Sequence, residues 1–133
     1  MQKGDSLPQV DRFVDQARIE DYAHASGDFN PIHIDHEFAS QSQFGGTIAH
    51  GMMVAATISE IMTGAFGSNW AKTGKMKIRF RSPVKPGQTV TATGSVQRVT
   101  PDGESSRIVC AVSVTTDNGE VAISGQAEVT VPA

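Results

Sequence analysis

From His50 to Ala65 the chain has the spacing of a helix without the polar side that an ordinary surface helix shows. Met52, Met53, Val54, Ala55, Ala56, Ile58, Ile61 and Met62 fall on nearly every side of the helical wheel. A helix that is apolar all round has to be covered all round. At 133 residues the chain fits one domain, expected over residues 1–133, and a domain of that size buries roughly two-thirds of its unfolded surface. Few folds that small enclose a helix; a strongly curved sheet is one that does.

The second half of the chain supplies such a sheet. Met76, Ile78 and Phe80 alternate with Lys75, Lys77, Arg79 and Arg81. Val90, Ala92 and Val96 alternate with Thr89, Thr91, Thr93 and Ser95. Ile108, Cys110, Val112 and Val114 repeat the pattern, followed by Val121, Ile123, Ala127, Val129 and Val131. Period-two alternation predicts strands with one buried face. Pro86-Gly87, Pro101-Asp102-Gly103 and Asn118-Gly119 mark the turns between them.

Ahead of the central helix, Arg12–Asp15 reads as a short edge strand. Gln16–Ser26 reads as an amphipathic helix with Ile19, Tyr22 and Ala23 inward, stopped at Gly27. Pro31 drives Asn30 out of helical geometry, so Asp28-Phe29-Asn30-Pro31 is a turn. Asp35 caps one or two helical turns over residues 35–39. Helical elements first and an antiparallel meander afterwards define an α+β chain whose sheet wraps one long helix.

The chemistry sits in the turn. Asp28 and His33 lie on a Gly/Asn/Pro-rich connection, where functional residues concentrate. A carboxylate and an imidazole sharing one water can add or remove water, one group taking a proton while the other gives one. The same residues also fit a turn cap and a hydrogen-bonded surface histidine. Gly51, at the start of the buried helix, offers a backbone N–H aligned with the helix dipole; it also fits a simple packing glycine.

Tyr22, Gly27-Asp28, Asn30-Pro31, His33 and Ala39, followed by His50-Gly51-Met52, resemble the hydratase signature of the MaoC-like family. These are (R)-specific enoyl-CoA hydratases and dehydratases of the hotdog fold, an antiparallel sheet wrapped around a long central helix. A looser likeness continues through Ile78–Gly87. The resemblance implies reversible hydration of trans-2-enoyl thioesters to (R)-3-hydroxyacyl thioesters, with no cofactor beyond the thioester's own carrier. Asp28 would orient and deprotonate the water that attacks C3, and His33 would bind that water and supply the proton at C2. The Gly51 N–H would hold the thioester oxygen. Asn30 joins the substrate-binding set, and Ser59 falls where related hydratases carry a serine that orients the aspartate; a small helix residue bonding its own backbone is the other reading. Met52, Met53, Ile58 and Met62 are candidate walls of the acyl tunnel.

Lys75, Lys77, Arg79 and Arg81 form either a solvated strand face or a contact for coenzyme A phosphates or an acidic acyl carrier protein. A hotdog thioesterase, with Glu60 as the helix carboxylate, is the nearest rival. The subunit of a heteromeric 3-hydroxyacyl dehydratase is the next. Open sheet edges and family habit point to a homodimer.

Charge and cysteine usage narrow the rest. A net charge of -3 gives no reason to expect nucleic acid or an anionic membrane. The start of the chain has no apolar run of the signal-peptide kind, and the central apolar run is too short and polar to span a bilayer. The single cysteine, Cys110, reads as a core thiol and weakly favours a reducing compartment, so the expectation is cytoplasmic. His24, His33, Asp35 and His36 lack zinc-type spacing, and no metal is expected.

Overall fold

The computed structural model describes residues 1–133. Strand β1 (Val10–Val14) leads into α1 (Gln16–Ser26), followed by the short turns of helix α2 (Pro31–Ile34) and α3 (His36–Ser40). The long helix α4 (Gly51–Phe66) and the short α5 (Ser68–Thr73) precede β2 (Lys75–Phe80), β3 (Gln88–Asp102), β4 (Ser105–Thr116) and β5 (Val121–Pro132). The five strands form one sheet in the order β1-β3-β4-β5-β2, and every pairing is antiparallel. This is the antiparallel sheet expected from the alternation, in the hotdog arrangement that the family resemblance implies.

Local chemistry explains the ends of the helices. The Asp15 side chain accepts from the Arg18 N–H to start α1, and Gly27 stops it in the left-handed region at φ 76°. Asn30 caps α2 through the Ile32 N–H with Pro31 in the first turn, and Asp35 caps α3 through the Phe38 N–H. The helix α5 has no side-chain cap at its start, ends on a bond from the Gly74 N–H to the Trp70 carbonyl, and is not visible in the apolar pattern.

Helix α4 lies across the sheet and buries Val54, Ala55, Ile58, Ile61 and Met62 in a cluster with Val90, Ala92, Cys110, Val112, Val114 and Ile123. Gly94 of β3 lets it approach closely, since a Cβ there would sit 3.2 Å from the Ile61 Cδ1. The enclosure is incomplete, which corrects the expectation of a helix covered on every side. Met52 (60% exposed), Ala56, Glu60 and Thr63 form an open stripe along α4. The sheet curls around one side of the helix only, and the opposite side has nothing of this chain above it. No helix is long and apolar enough to cross a membrane.

Two irregularities in the sheet matter. Gln97 is an extra residue between the pairs Val96–Cys110 and Arg98–Val109. Ala122 is an extra residue on β5, between Val114–Ile123 and Thr115–Val121. Such a bulge turns a carbonyl out of the ladder. The Ala122 carbonyl accepts from the Arg81 N–H at 2.8 Å and the Ser82 N–H at 3.4 Å, tying the segment after β2 to β5.

Candidate active site

The segment between α1 and α4 is held by a chain of short-range bonds. The Asp28 carboxylate accepts from the Asn30 N–H at 3.1 Å, and the Ser26 hydroxyl accepts from the Asp28 N–H at 3.2 Å. Asn30 uses its own side-chain oxygen on Ile32. These bonds leave the second carboxylate oxygen of Asp28 free on an exposed turn. The one-turn helix α2 then carries His33 inward, to 9% exposure.

His33 is fixed from several sides. Its Nδ1 lies 2.8 Å from the Ile48 carbonyl, and its own carbonyl accepts from Gln16 Nε2 at 2.8 Å. Gln16 in turn accepts from the Thr47 hydroxyl at 2.7 Å. A carbonyl can only accept, so Nδ1 carries the hydrogen and the neutral ring presents its lone pair at Nε2. No group of the fold bonds that Nε2.

His50 lies against it. The two rings stack with centroids 3.8 Å apart and planes 25° from parallel. His50 Nε2 donates to the Asp28 carbonyl at 2.9 Å, and Tyr22 covers part of the ring at 4.8 Å. Asp28, His33 and His50 each bring a side-chain donor atom to within 4.8 Å of the others. That spacing suits one bridging water, since two hydrogen bonds of about 2.8 Å span it. It suits a metal poorly: imidazole lone pairs lie in the ring planes, and two rings stacked 25° from parallel do not aim them at one point.

A cleft of about 290 Å³ opens beside His33. Phe44, Ile48, Val54, Phe80, Val84 and Ile123 make its apolar wall, and Arg81 and Ser82 stand at its polar side. Gly51 lines it too. No side chain caps α4, and the Gly51 N–H has no acceptor in the fold, so the positive end of a sixteen-residue helix faces the cleft uncompensated. The Phe80 ring fills the space a side chain at Gly51 would need, at 2.9 Å from an ideal Cβ.

The remaining sequence candidates sit elsewhere. Ser59 is half-buried, makes no side-chain hydrogen bond and lies outside the cleft. Ile58 and Met62 are sealed between α4 and the sheet, Met52 is on the open stripe, and Met53 faces a second groove between β1 and α4. The cleft lies at the N-terminal end of α4, at least a turn from Ile58 and Met62, so its walls come from the loop before α4 and the segment after β2. Of the four cations, Lys75, Lys77 and Arg79 are exposed along β2. Arg81 lies past the strand's end, in the cleft, its Nε donating to the Ser124 hydroxyl at 2.7 Å. Glu60 pairs with Arg12 across the second groove. The sequence reading places His50 at the helix entry and in the family signature but gives it no role of its own; its signal is a lone histidine opening a mostly apolar helix.

The profile of the MaoC like domain matches residues 2–118. A 3-hydroxybutyryl-CoA dehydratase of Methylorubrum extorquens is 32% identical over 90% of this chain and 74% of its own length. An (R)-specific enoyl-CoA hydratase of Rhodospirillum rubrum is 34% identical over 90% of this chain and 81% of its own. Among solved structures, an unliganded R-hydratase from Pseudomonas aeruginosa superposes with a TM-score of 0.85 at 27% identity, covering 99% of this chain and 83% of that one.

Proposed function

Because the chain belongs to the MaoC-like domain family, we propose that it hydrates trans-2-enoyl-CoA thioesters reversibly to (R)-3-hydroxyacyl-CoA. The observation that carries this reading is the gathering of three unsatisfied groups, two on the cleft wall at His33 and Gly51 and the third on Asp28 next to His33. They are the free oxygen of Asp28, the Nε2 lone pair of His33 and the unbonded N–H of Gly51.

A water held by the first two donates one hydrogen to the carboxylate and the other to the imidazole. Its oxygen attacks C3 of the enoyl group while one proton passes to the Asp28/His33 pair. The electrons of the double bond move toward the thioester oxygen, where the Gly51 N–H and the end of the α4 dipole stabilise the charge. The pair then returns a proton to C2, so the net addition is one water. Because His33 holds its hydrogen at Nδ1, it supplies a proton to C2 only after Nε2 has gained one. No metal and no organic cofactor enter these steps.

A homodimer fits the same reading. Both β1 and β2 are sheet edges, and the stripe led by Met52 lies beside the end of α4 that borders the cleft. The single, buried, unpaired Cys110 agrees with a cytosolic setting.

The test is purified protein with crotonyl-CoA. Loss of enoyl absorbance without free thiol is the expected result; release of free coenzyme A would make the chain a thioesterase, and no change in either would remove the reading. Light scattering of the same sample reads the dimer.

A further inference from the structure

His50 is 2% exposed, and its Nδ1 is the one buried side-chain polar atom left without a partner. A phenylalanine or leucine would fill the same space with no stranded nitrogen, so packing alone does not account for an imidazole here. What the imidazole adds is its other nitrogen. Nε2 reaches across twenty-two positions of sequence to the Asp28 carbonyl, a group on an exposed turn. The same ring forms the surface on which the His33 ring lies, with Tyr22 closing the stack.

We infer that His50 is a positioning residue for both members of the water-activating pair. Its Nε2–H fixes the backbone of Asp28 and hence the direction of the carboxylate; its ring face fixes the plane of His33. His50 begins the helix whose first N–H, at Gly51, is proposed to hold the thioester oxygen. One residue therefore sets the water and the oxygen site at a common distance. Displacements of about 1 Å in such a constellation cost on the order of 10²-fold in rate. The inference rests on the hydratase reading for its catalytic consequence, while the clamp on Asp28 stands on geometry alone.

Two substitutions separate the parts. His50→Phe keeps a ring on His33 and removes the donor; His50→Gln keeps an amide donor of similar reach and removes the ring. Turnover of crotonyl-CoA by His50→Phe should fall about 10- to 100-fold with KM changed less than about threefold, and His50→Gln should recover at least about tenfold of that loss.

A second readout does not depend on activity. Hydrogen exchange at the Asn30 amide, bonded to the Asp28 carboxylate, should quicken about tenfold or more in His50→Phe, stay slow in His50→Gln, and leave the β4 amides unchanged. Nitrogen-15 spectra of the wild type should show His33 as the Nδ1–H tautomer and His50 as the Nε2–H tautomer. Wild-type turnover and unaltered Asn30 exchange in His50→Phe would overturn the inference. So would a folded His50→Gln protein that loses turnover and Asn30 protection together, which keeps the test decisive if the phenylalanine variant does not fold. Wild-type protein that leaves crotonyl-CoA untouched would instead remove the hydratase reading, and Asn30 exchange would still decide the role of His50.

Discussion

Two hollows flank the start of α4, and Val54 borders both. The groove between β1 and α4 is the larger, about 460 Å³ against about 290 Å³ for the cleft beside His33. Yet the groove's polar groups are largely matched with one another. Arg12 pairs with Glu60, Arg18 with Asp15 and the Phe13 carbonyl, and the Thr57 hydroxyl with the Val54 carbonyl. The smaller cleft keeps free hydrogen-bonding capacity of both signs, a lone pair on His33 and an N–H on Gly51. Volume therefore misleads in this molecule, and unsatisfied groups aimed into a space identify where chemistry can occur.

The strongest way to break that contrast is to remove the chemistry of the cleft. Asp28→Asn and His33→Ala should each lower kcat by about 10²- to 10⁴-fold with circular dichroism unchanged. Either variant turning over at the wild-type rate ends the assignment. Gly51→Ala keeps the backbone N–H but sets a methyl group beside it, against the Phe80 ring, so the thioester oxygen is held off the donor and kcat should fall by about tenfold or more. Phe80 is 57% exposed and free to swing away from the new methyl group, so the melting temperature should move by only a few degrees. A large drop in melting temperature with intact turnover would make Gly51 a packing residue.

The groove supplies the opposite arm. Glu60→Gln should leave hydration within about twofold of wild type and cost less than about 1 kcal/mol, as expected for an exposed ion pair. Loss of turnover in Glu60→Gln would move the active centre to the groove and favour thioester hydrolysis.

The smallest effect concerns the core behind both hollows. Burial pushes the Cys110 thiol up from 9.0 to about 11. Native protein at pH 8 should react with a thiol reagent only on unfolding. The folded state holds this proton more tightly than the unfolded chain does. Its contribution to stability is whole below about pH 9 and lost as pH climbs through about 11. Unfolding of wild type and Cys110→Ala followed over that interval should show the slope in the wild type alone.

Much of the fold was legible because it is written in local chemistry. Gly27 ends α1 and Asp35 caps α3 where their side chains and backbone freedom require. The central helix runs Gly51–Phe66 against an expected His50–Ala65. Of the site, Asp28 and His33 stand out from their turn, and the structure brings them to one place with Gly51 beside them. The cleft walls were not legible, because the offset of β5 at Ala122 places Arg81, Ser82 and Ile123 there, and no nearby residue signals that offset. Phe80 was misplaced for a related reason: alternation assigns it to the covered face, but β2 is an edge strand and its last residue reaches past the cover. The contact of His50 with Asp28 was not legible because its partner is a backbone carbonyl, which carries no side-chain signature.

The bulge at Ala122 has a consequence for anyone who wishes to reshape this protein. The span of the cleft is governed by the staggering of two ribbons of backbone as well as by the side chains along its rim. Trimming one aromatic residue alters the lining but leaves the frame where it was. Deleting or adding one position at Ala122 would shift the frame itself, and every contact on that side of the opening would travel with it.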